Sequence, residues 1–384
     1  MLLKKGTILF FLFFAILFLA MFPIKMKDEM IDFEVNYKAG MRLRSGETLY
    51  QTADGHFMFK YLPSSAFLYL PLSLLPLSVA KFIWYFLITA CSFALIYVSN
   101  RLLPENTGIP VYMIVLPFLI LAKFFLREIH LGQINTVLTL ILLAMIWCMV
   151  SEKKTTPFRR EIYTGLLWGL AIALKPYAMI FLPYFLVKKM WKSLLSGLGF
   201  LCLALLAPSL FYGFRGNLTV LKEWASTLSQ STPGQLITHD NISILAFFMK
   251  CTGKENLSLL LAVAVVAGLA ILVWITVLKG REMARSPVLE CAILLVLIPL
   301  VSPLGWDYTL LMSMPGVVMI LHYFPFYSKG WKAVLVVNLC IITFSIYDLM
   351  GRTLYKQFMA WSVLTVNFLI LAGYLVYLRY RKIC

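Results

Sequence analysis

Asp32 stands just past the first apolar run of the chain and opens a polar stretch, Ile31 to Pro63. In that stretch Arg42, Arg44, Asp54 and Lys60 are interleaved with Phe33, Tyr37, Tyr50, Phe59 and Tyr61, and acids nearly cancel bases. A carboxylate at the edge of an apolar segment can take a proton from a hydroxyl while that oxygen attacks an electrophilic carbon. A plainer role is open to the same residue: Asp32 precedes an amphipathic stretch, Val35 to Arg42, whose helix it could cap. The two roles are compatible. Asp54-Gly55 reads as a turn.

Further along, Lys123, Arg127 and His130 recur at three- and four-residue spacing and so share a helix face. That face suits a phosphate, which arginine can grip with two parallel bonds; it equally suits anchoring at a membrane surface. Gln133 and Asn135 follow, able to bond sugar hydroxyls or to cap the next helix. Lys175 sits deep in the apolar run LAIALKPYAMIFLP. An ionisable group at such depth is costly and is functional by default, although a lysine can also snorkel to the headgroups. Pro176 beside it breaks the helix, and broken helices at membrane depth line cavities or pack in protein. His239, Asp240 and Asn241, and then Ser302 to Tyr308 with Trp306 and Asp307, complete the polar set.

The elements that must hold these groups are membrane helices. The chain has 384 residues, 61% hydrophobic and 13% charged, with a mean hydropathy of +0.87; a soluble domain is about a quarter charged. Apolar runs long enough to cross a bilayer recur throughout. The net charge of +17 sits in short loops, as the positive-inside rule expects, so nucleic acid is not a partner and membrane lipids are. The seven cysteines show no metal-ligand spacing and read as buried thiols. GxSxG, P-loop, HExxH and dinucleotide-fold glycine patterns are missing, as is DxD. No metal, nucleotide donor or soluble cofactor is expected.

Charge asymmetry predicts the topology. Lys4 and Lys5 precede a first span, Thr7 to Phe22, read as a signal anchor with the amino terminus inside. Inner basic clusters then recur at Lys153, Lys154, Arg159 and Arg160, at Lys188, Lys189 and Lys192, at Lys279, Arg281 and Arg285, and at Arg379, Arg381 and Lys382. They predict about ten crossings plus a hairpin broken at Lys175-Pro176, with both termini cytoplasmic. Ser64 to Leu75 is too short to cross, and Gly213 to Asn241 reads as an outer loop. The chain is read as one domain, residues 1–384. The polar clusters fall on the outer side.

Taken together and in order, DFEVNYKAGMRLRSGETLY, FKYLPSSAFLYLPLSLLP, LGQIN, GLLWGLAIALKPYAMIFLPYFLVKKMW, DNISI and SPLGWDY resemble glycosyltransferase family 87. This is a family of integral-membrane GT-C enzymes that includes polyprenol-phosphate-mannose-dependent mannosyltransferases. The resemblance runs from about Asp32 to Tyr308, and implies an all-α polytopic GT-C-like fold whose first outer loop holds the catalytic site. It implies transfer of a hexose, mannose first among the guesses, from a polyprenyl-phosphate carrier to a glycolipid or glycan acceptor outside the plasma membrane. The family's catalytic aspartate matches Asp32, and the lysine of its LKP motif matches Lys175. The histidine that often follows the tryptophan of SP-x-x-W is missing here, where Asp307, Tyr308 and Thr309 follow Trp306.

The expected assignment is therefore Asp32 as general base and Lys123, Arg127 and Lys175 on the donor phosphate, with Arg44, Lys60 and His130 as lesser candidates. Tyr61, Gln133, Asn135, His239, Asn241, Trp306 and Asp307 are the expected sugar or acceptor contacts. The competing reading is a transporter or flippase of lipid-linked sugar, since broken helices and midplane charge also serve transport.

Overall fold

The computed structural model describes residues 5–103, 109–151, 156–279 and 286–381. Lys4, Lys153, Lys154, Arg281, Arg285 and Lys382 lie outside the described residues. The described chain is helical, as expected; the extended pairing is one isolated bridge between Asn241 and Trp306. It divides into two compact units, Leu9–Ala94 with Arg127–Pro233, and Met1–Ile8 with Leu95–Leu126 and Gly234–Cys384.

The unit that holds Asp32 is built from most of α1 (Lys5–Ile24), α2 (Ile31–Ser45), the short α3 (Ala66–Tyr69), the first part of α4 (Leu77–Arg101) and the end of α5 (Tyr112–Leu131). It continues through α6 (Asn135–Val150), α7 (Pro157–Leu174), α8 (Phe181–Val187), α9 (Trp191–Leu206) and α10 (Ser209–Ser231). Helix α2 is longer than the predicted Val35 to Arg42. It buries Phe33, Asn36, Ala39, Gly40 and Leu43 along one helical stripe and stops at Gly46, whose φ of 69° is the usual left-handed end. Leu49, Tyr50 and Phe59 close over that stripe.

Helix α7 ends where the sequence says it must. Pro176 disfavours a helical residue before it, and Lys175 is extended at φ −148°, ψ 131°. The short turn Pro176–Ile180 follows, pinned by a 2.8 Å bond from the Trp168 indole to the Ala178 carbonyl. The predicted outer loop from Gly213 is instead mostly helix: α10 runs to Ser231, with a kink at Gly213. Asn217, Val220 and Thr227 share its buried face, and this packing outweighs the polar composition that read as a loop.

The other unit contains α11 (Ile244–Thr252), α12 (Glu255–Lys279), α13 (Ser286–Val301), α14 (Met314–His322), α15 (Lys329–Phe344), α16 (Tyr347–Ala360) and α17 (Val363–Tyr380). Its centre is α13, buried from Val288 to Leu300. Arg379 of α17 donates twice to Glu290 of α13, at 2.9 and 3.0 Å, with both side chains out of solvent.

Three described helices, α4, α12 and α17, are long and apolar enough to cross a membrane, and three bent pairs raise the number to six if each is one span. The expectation of about ten counted every apolar run; α13 and α15, at 16 residues each, fall short of a full span by length. Of the described cysteines only Cys291 is buried, while Cys202, Cys251 and Cys340 are exposed. The expected burial fails because apolar faces of such helices look outward as well as inward.

Candidate active site

Two backbone irregularities bring the site residues together. Met30, immediately before α2, is left-handed at φ 67° and donates its N–H to the His130 carbonyl at 3.0 Å. Gly132, between α5 and α6, has φ +70°, and a Cβ there would lie 2.7 Å from the Phe33 Cβ. Only glycine fits that position on both counts. The Trp84 indole bonds the Gly132 carbonyl at 2.8 Å. Lys81, buried beside it, bonds the Lys27 and Glu29 carbonyls and pairs with Glu34 at 2.6 Å. The start of α2 is thereby clamped against the turn that carries Gln133.

Asp32 is the second residue of α2 and does not cap it. Met30 holds the cap position, with no side-chain bond there, so the capping role falls away. The Asp32 carboxylate, half-buried, instead accepts Gln133 Nε2–H at 2.6 Å. Gln133 Oε1 accepts from Lys175 Nζ at 2.8 Å, and Lys175 also donates to Asn135 Oδ1 at 3.0 Å. Asn135 Nδ2 donates to Glu128 at 2.8 Å. Lys175, Gln133, Asn135 and Glu128 are 2%, 3%, 0% and 0% exposed. The Lys175 ammonium further lies 5.0 Å from the Tyr61 ring centre and 5.5 Å from that of Tyr177, within the range of cation–π attraction. The Tyr61 hydroxyl reaches Gln133 Oε1 at a long 3.4 Å.

This arrangement alters the expected roles. Lys175 does not snorkel; it is enclosed and spends two of its three hydrogens on amides. Asn135 is wholly buried and bonds to Lys175 and Glu128, so it is not placed to contact a sugar. Gln133 likewise faces its neighbours. Tyr61, partly exposed, remains at the edge of the cluster, and burial followed by the Asp32 charge holds its hydroxyl well above the ordinary phenol range. Lys60 is half-buried within the field of Asp32; burial lowers its proton affinity and the Asp32 charge opposes that change. Glu128 was not foreseen as a site residue, nor was Tyr177.

Other expected groups lie elsewhere. Arg44 is exposed and reaches the Ser73 carbonyl at 3.4 Å. His130 is half-exposed, 3.5 Å from Glu29. Arg127 is partly buried in the same unit. Lys123 falls in the other unit, where its ammonium bonds the Ser345 hydroxyl and, at 2.8 Å, the Ser345 carbonyl, within the field of Asp307. The shared face Lys123, Arg127 and His130 is thus divided between units.

In that other unit Asn241 is fully buried. Its Nδ2 donates to the Leu236 and Pro303 carbonyls at 3.0 and 2.9 Å, and its Oδ1 accepts from Ser243 N and Gly305 N, both at 3.1 Å. An amide has two hydrogens and two lone pairs to offer, so Asn241 has none left for a sugar. His239 is exposed, and its carbonyl accepts from Lys250. Trp306 stacks on Tyr308 with centroids 6.5 Å apart, and the buried Asp307 carboxylate accepts the Tyr308 N–H. Among the described residues no three His, Cys, Asp or Glu side chains gather as a metal would need.

The family model of Glycosyltransferase family 87 matches residues 59–303, well over half of the chain. The chain belongs to glycosyltransferase family 87. The matched part contains Lys60, Tyr61, Glu128, Gln133, Asn135 and Lys175 of the cluster; Asp32 precedes it. A polyprenol-phosphate-mannose-dependent alpha-(1-2)-phosphatidylinositol pentamannoside mannosyltransferase of Mycolicibacterium smegmatis is 27% identical over 284 residues, 71% of this chain and 63% of that protein. An alpha-(1->3)-arabinofuranosyltransferase of Corynebacterium glutamicum is 30% identical over 178 residues, 44% of this chain and 39% of that one. This family 87 chain therefore spans less than two thirds of the length of either relative. The crystal structure of ArnT from Cupriavidus metallidurans bound to undecaprenyl phosphate superposes on 98% of this chain and 73% of its own, at 13% identity and a TM-score of 0.49.

Proposed function

We propose that this chain is a membrane glycosyltransferase that moves a hexose, mannose by preference, from a polyprenyl-phosphate carrier to a hydroxyl of a glycolipid or glycan acceptor. The reaction is set at the extracytoplasmic face of the plasma membrane, with both termini inside. Membership of family 87 and the mannosyl donor in the name of the Mycolicibacterium relative support the substrate class. The observation that carries the mechanism is the half-buried Asp32 carboxylate, held at 2.6 Å by an amide that is itself held by Lys175.

The step runs as one displacement. The acceptor oxygen attacks the anomeric carbon, its proton passes to Asp32, and the carbon–oxygen bond to phosphate breaks with both electrons leaving on the polyprenyl phosphate. A single displacement inverts the anomeric centre. Gln133 fixes the direction of the Asp32 carboxylate, which is what a base in a defined line of attack requires. Negative charge grows on the departing phosphate, and cationic side chains stabilise it. In the Asp32 unit we assign that work to Lys60 and Arg127 rather than to the enclosed Lys175. The lipid-linked sugar is the sole co-substrate in this reading, and no cofactor is invoked.

The test is transfer by purified protein in lipid, using radiolabelled polyprenyl-phosphate mannose and a membrane extract of the source cell. Label should move to a glycolipid or polymer, and Asp32→Asn should lower the rate by roughly 100- to 10,000-fold with folding unchanged. Full turnover in folded Asp32→Asn removes the base assignment. No transfer from mannose-, glucose- or arabinose-linked carriers removes the transferase reading.

A further inference from the structure

Glu128 has no part in the step just described, yet the cluster ends on it. Its carboxylate accepts three hydrogen bonds: from Asn135 Nδ2 at 2.8 Å, from Thr136 N at 3.0 Å and from the Thr136 hydroxyl at 3.3 Å. From there the bonds run through Asn135, Lys175 and Gln133 to Asp32. The order of group types along this line is the informative feature. An ammonium only donates, and an ionised carboxylate only accepts. Lys175 lies in the middle and a carboxylate lies at each end. Each intervening amide can then satisfy both neighbours in one orientation alone, oxygen toward Lys175 and NH2 toward the acid. Turning either amide round sets two donors against each other at Lys175 and faces a carboxylate with a carbonyl. Buried networks of this kind are costly when partly satisfied.

We propose that Glu128 is a positioning residue for Asp32: it holds Asn135 with its oxygen toward Lys175, so that Lys175 holds Gln133 with its amide hydrogens toward Asp32. The kinetic consequence rests on the transferase reading, whereas the orientation of the amides does not.

Glu128→Gln keeps the shape and exchanges one acceptor oxygen for an NH2. Thr136 N and Asn135 Nδ2 both need an acceptor there, and a glutamine supplies one oxygen. Asn135 then turns its own oxygen to the new NH2, its NH2 meets the Lys175 ammonium, and the repelled ammonium is displaced from its bond to Gln133 Oε1. A second change reverses this. In the Glu128→Gln background, Asn135→Asp restores an acceptor toward Lys175 and another toward position 128. It also returns the lost negative charge one residue along the line.

The experiment uses the full chain in lipid nanodiscs, 15N-labelled at glutamine side chains, with the Gln133 amide signal assigned by its loss in Gln133→Glu. Glu128→Gln is expected to move that signal, and the double variant to bring it back. In parallel, transfer from polyprenyl-phosphate mannose should fall roughly 10- to 100-fold in Glu128→Gln at little change in donor KM, as expected for a misplaced base. The double variant should recover most of the loss. An unmoved Gln133 signal in folded Glu128→Gln overturns the proposal, as does a rate loss that the folded double variant fails to reverse. Should Glu128→Gln not fold, a folded double variant with the wild-type Gln133 signal supports the proposal, and a double variant that also fails to fold overturns it. If wild type transfers nothing from any lipid-linked hexose, the transferase reading fails, and the amide signals still decide the role of Glu128.

Discussion

Gln133 and Asn241 are both buried side-chain amides, and they spend their hydrogen bonds on different things. Gln133 bonds ionisable side chains, Asp32 and Lys175 closely and Tyr61 at longer range. Asn241 bonds four backbone groups, of Leu236, Pro303, Ser243 and Gly305. Its neighbour Lys250 does likewise, donating to the carbonyls of His239, Asn241 and Met359. In the Asn241 cluster, polar side chains supply partners that an irregular turn cannot find within itself. In the Asp32 cluster they hold charges at fixed spacing and leave one carboxylate partly open. A polar side chain that satisfies backbone completes a fold; ionisable groups that satisfy one another preserve a protonation pattern that chemistry can use.

The largest expected effect that separates the two clusters is that of Lys175→Met. It removes the one cation between two carboxylates and strands the buried Glu128 charge. Leaving a buried charge without its compensating cation costs about 3–5 kcal/mol, read as a loss of folded yield and of melting temperature in detergent. A stable Lys175→Met protein would show that the cluster is wetter and more forgiving than its burial implies. Next in size is Asn241→Asp, which deletes two donors and turns a carboxylate toward the Leu236 and Pro303 carbonyls. About 2–3 kcal/mol of stability should go with it, measured by thermal melting against wild type. If Asn241→Asp melts with wild type, Asn241 is not what closes that turn and the contrast with Gln133 weakens.

Part of this contrast was legible in the residues and part was not. The break at Lys175-Pro176 was, because proline removes a helical hydrogen bond and disfavours a helical residue before it. So was the interest of Asp32 and Lys175, since ionisable groups beside apolar runs are expensive wherever they point. The contact joining them was not: it depends on Gly132 and Met30 closing two distant segments against each other, and a glycine marks a turn without saying what packs on it, while a left-handed methionine has no signature at all. Glu128 was passed over beside Lys123, Arg127 and His130. Its spacing from Leu121, Phe124 and Phe125, all buried on α5, placed it on the apolar face of that helix and was the available signal. Asn241 misled in the opposite direction, because an amide in a polar turn has the same composition whether it binds a ligand or the backbone.

The smallest expected effect lies between these extremes, in a pair that joins two side chains without building a site. Arg42 of α2 grips Asp54 with two bonds, at 2.5 and 2.9 Å, and so ties the turn Thr52–Phe57 to the helix that carries Asp32. Both side chains are mostly buried, at 13% and 17% exposure. The Arg42 bond holds the Asp54 carboxyl below the usual carboxylate range, and burial only partly opposes it. A depressed acid of this kind stabilises the fold fully above its unfolded value of about 3.9 and loses that contribution as pH falls through its folded value. Asp54→Asn should therefore cost about 1–2 kcal/mol near neutral pH, and the melting-temperature gap to wild type should close on acidification below about pH 4. A gap that stays constant down to acid pH would mean that the turn is held by packing, leaving Arg42 and Asp54 closer to the structural character of the Asn241 cluster than to the charge line that ends on Asp32.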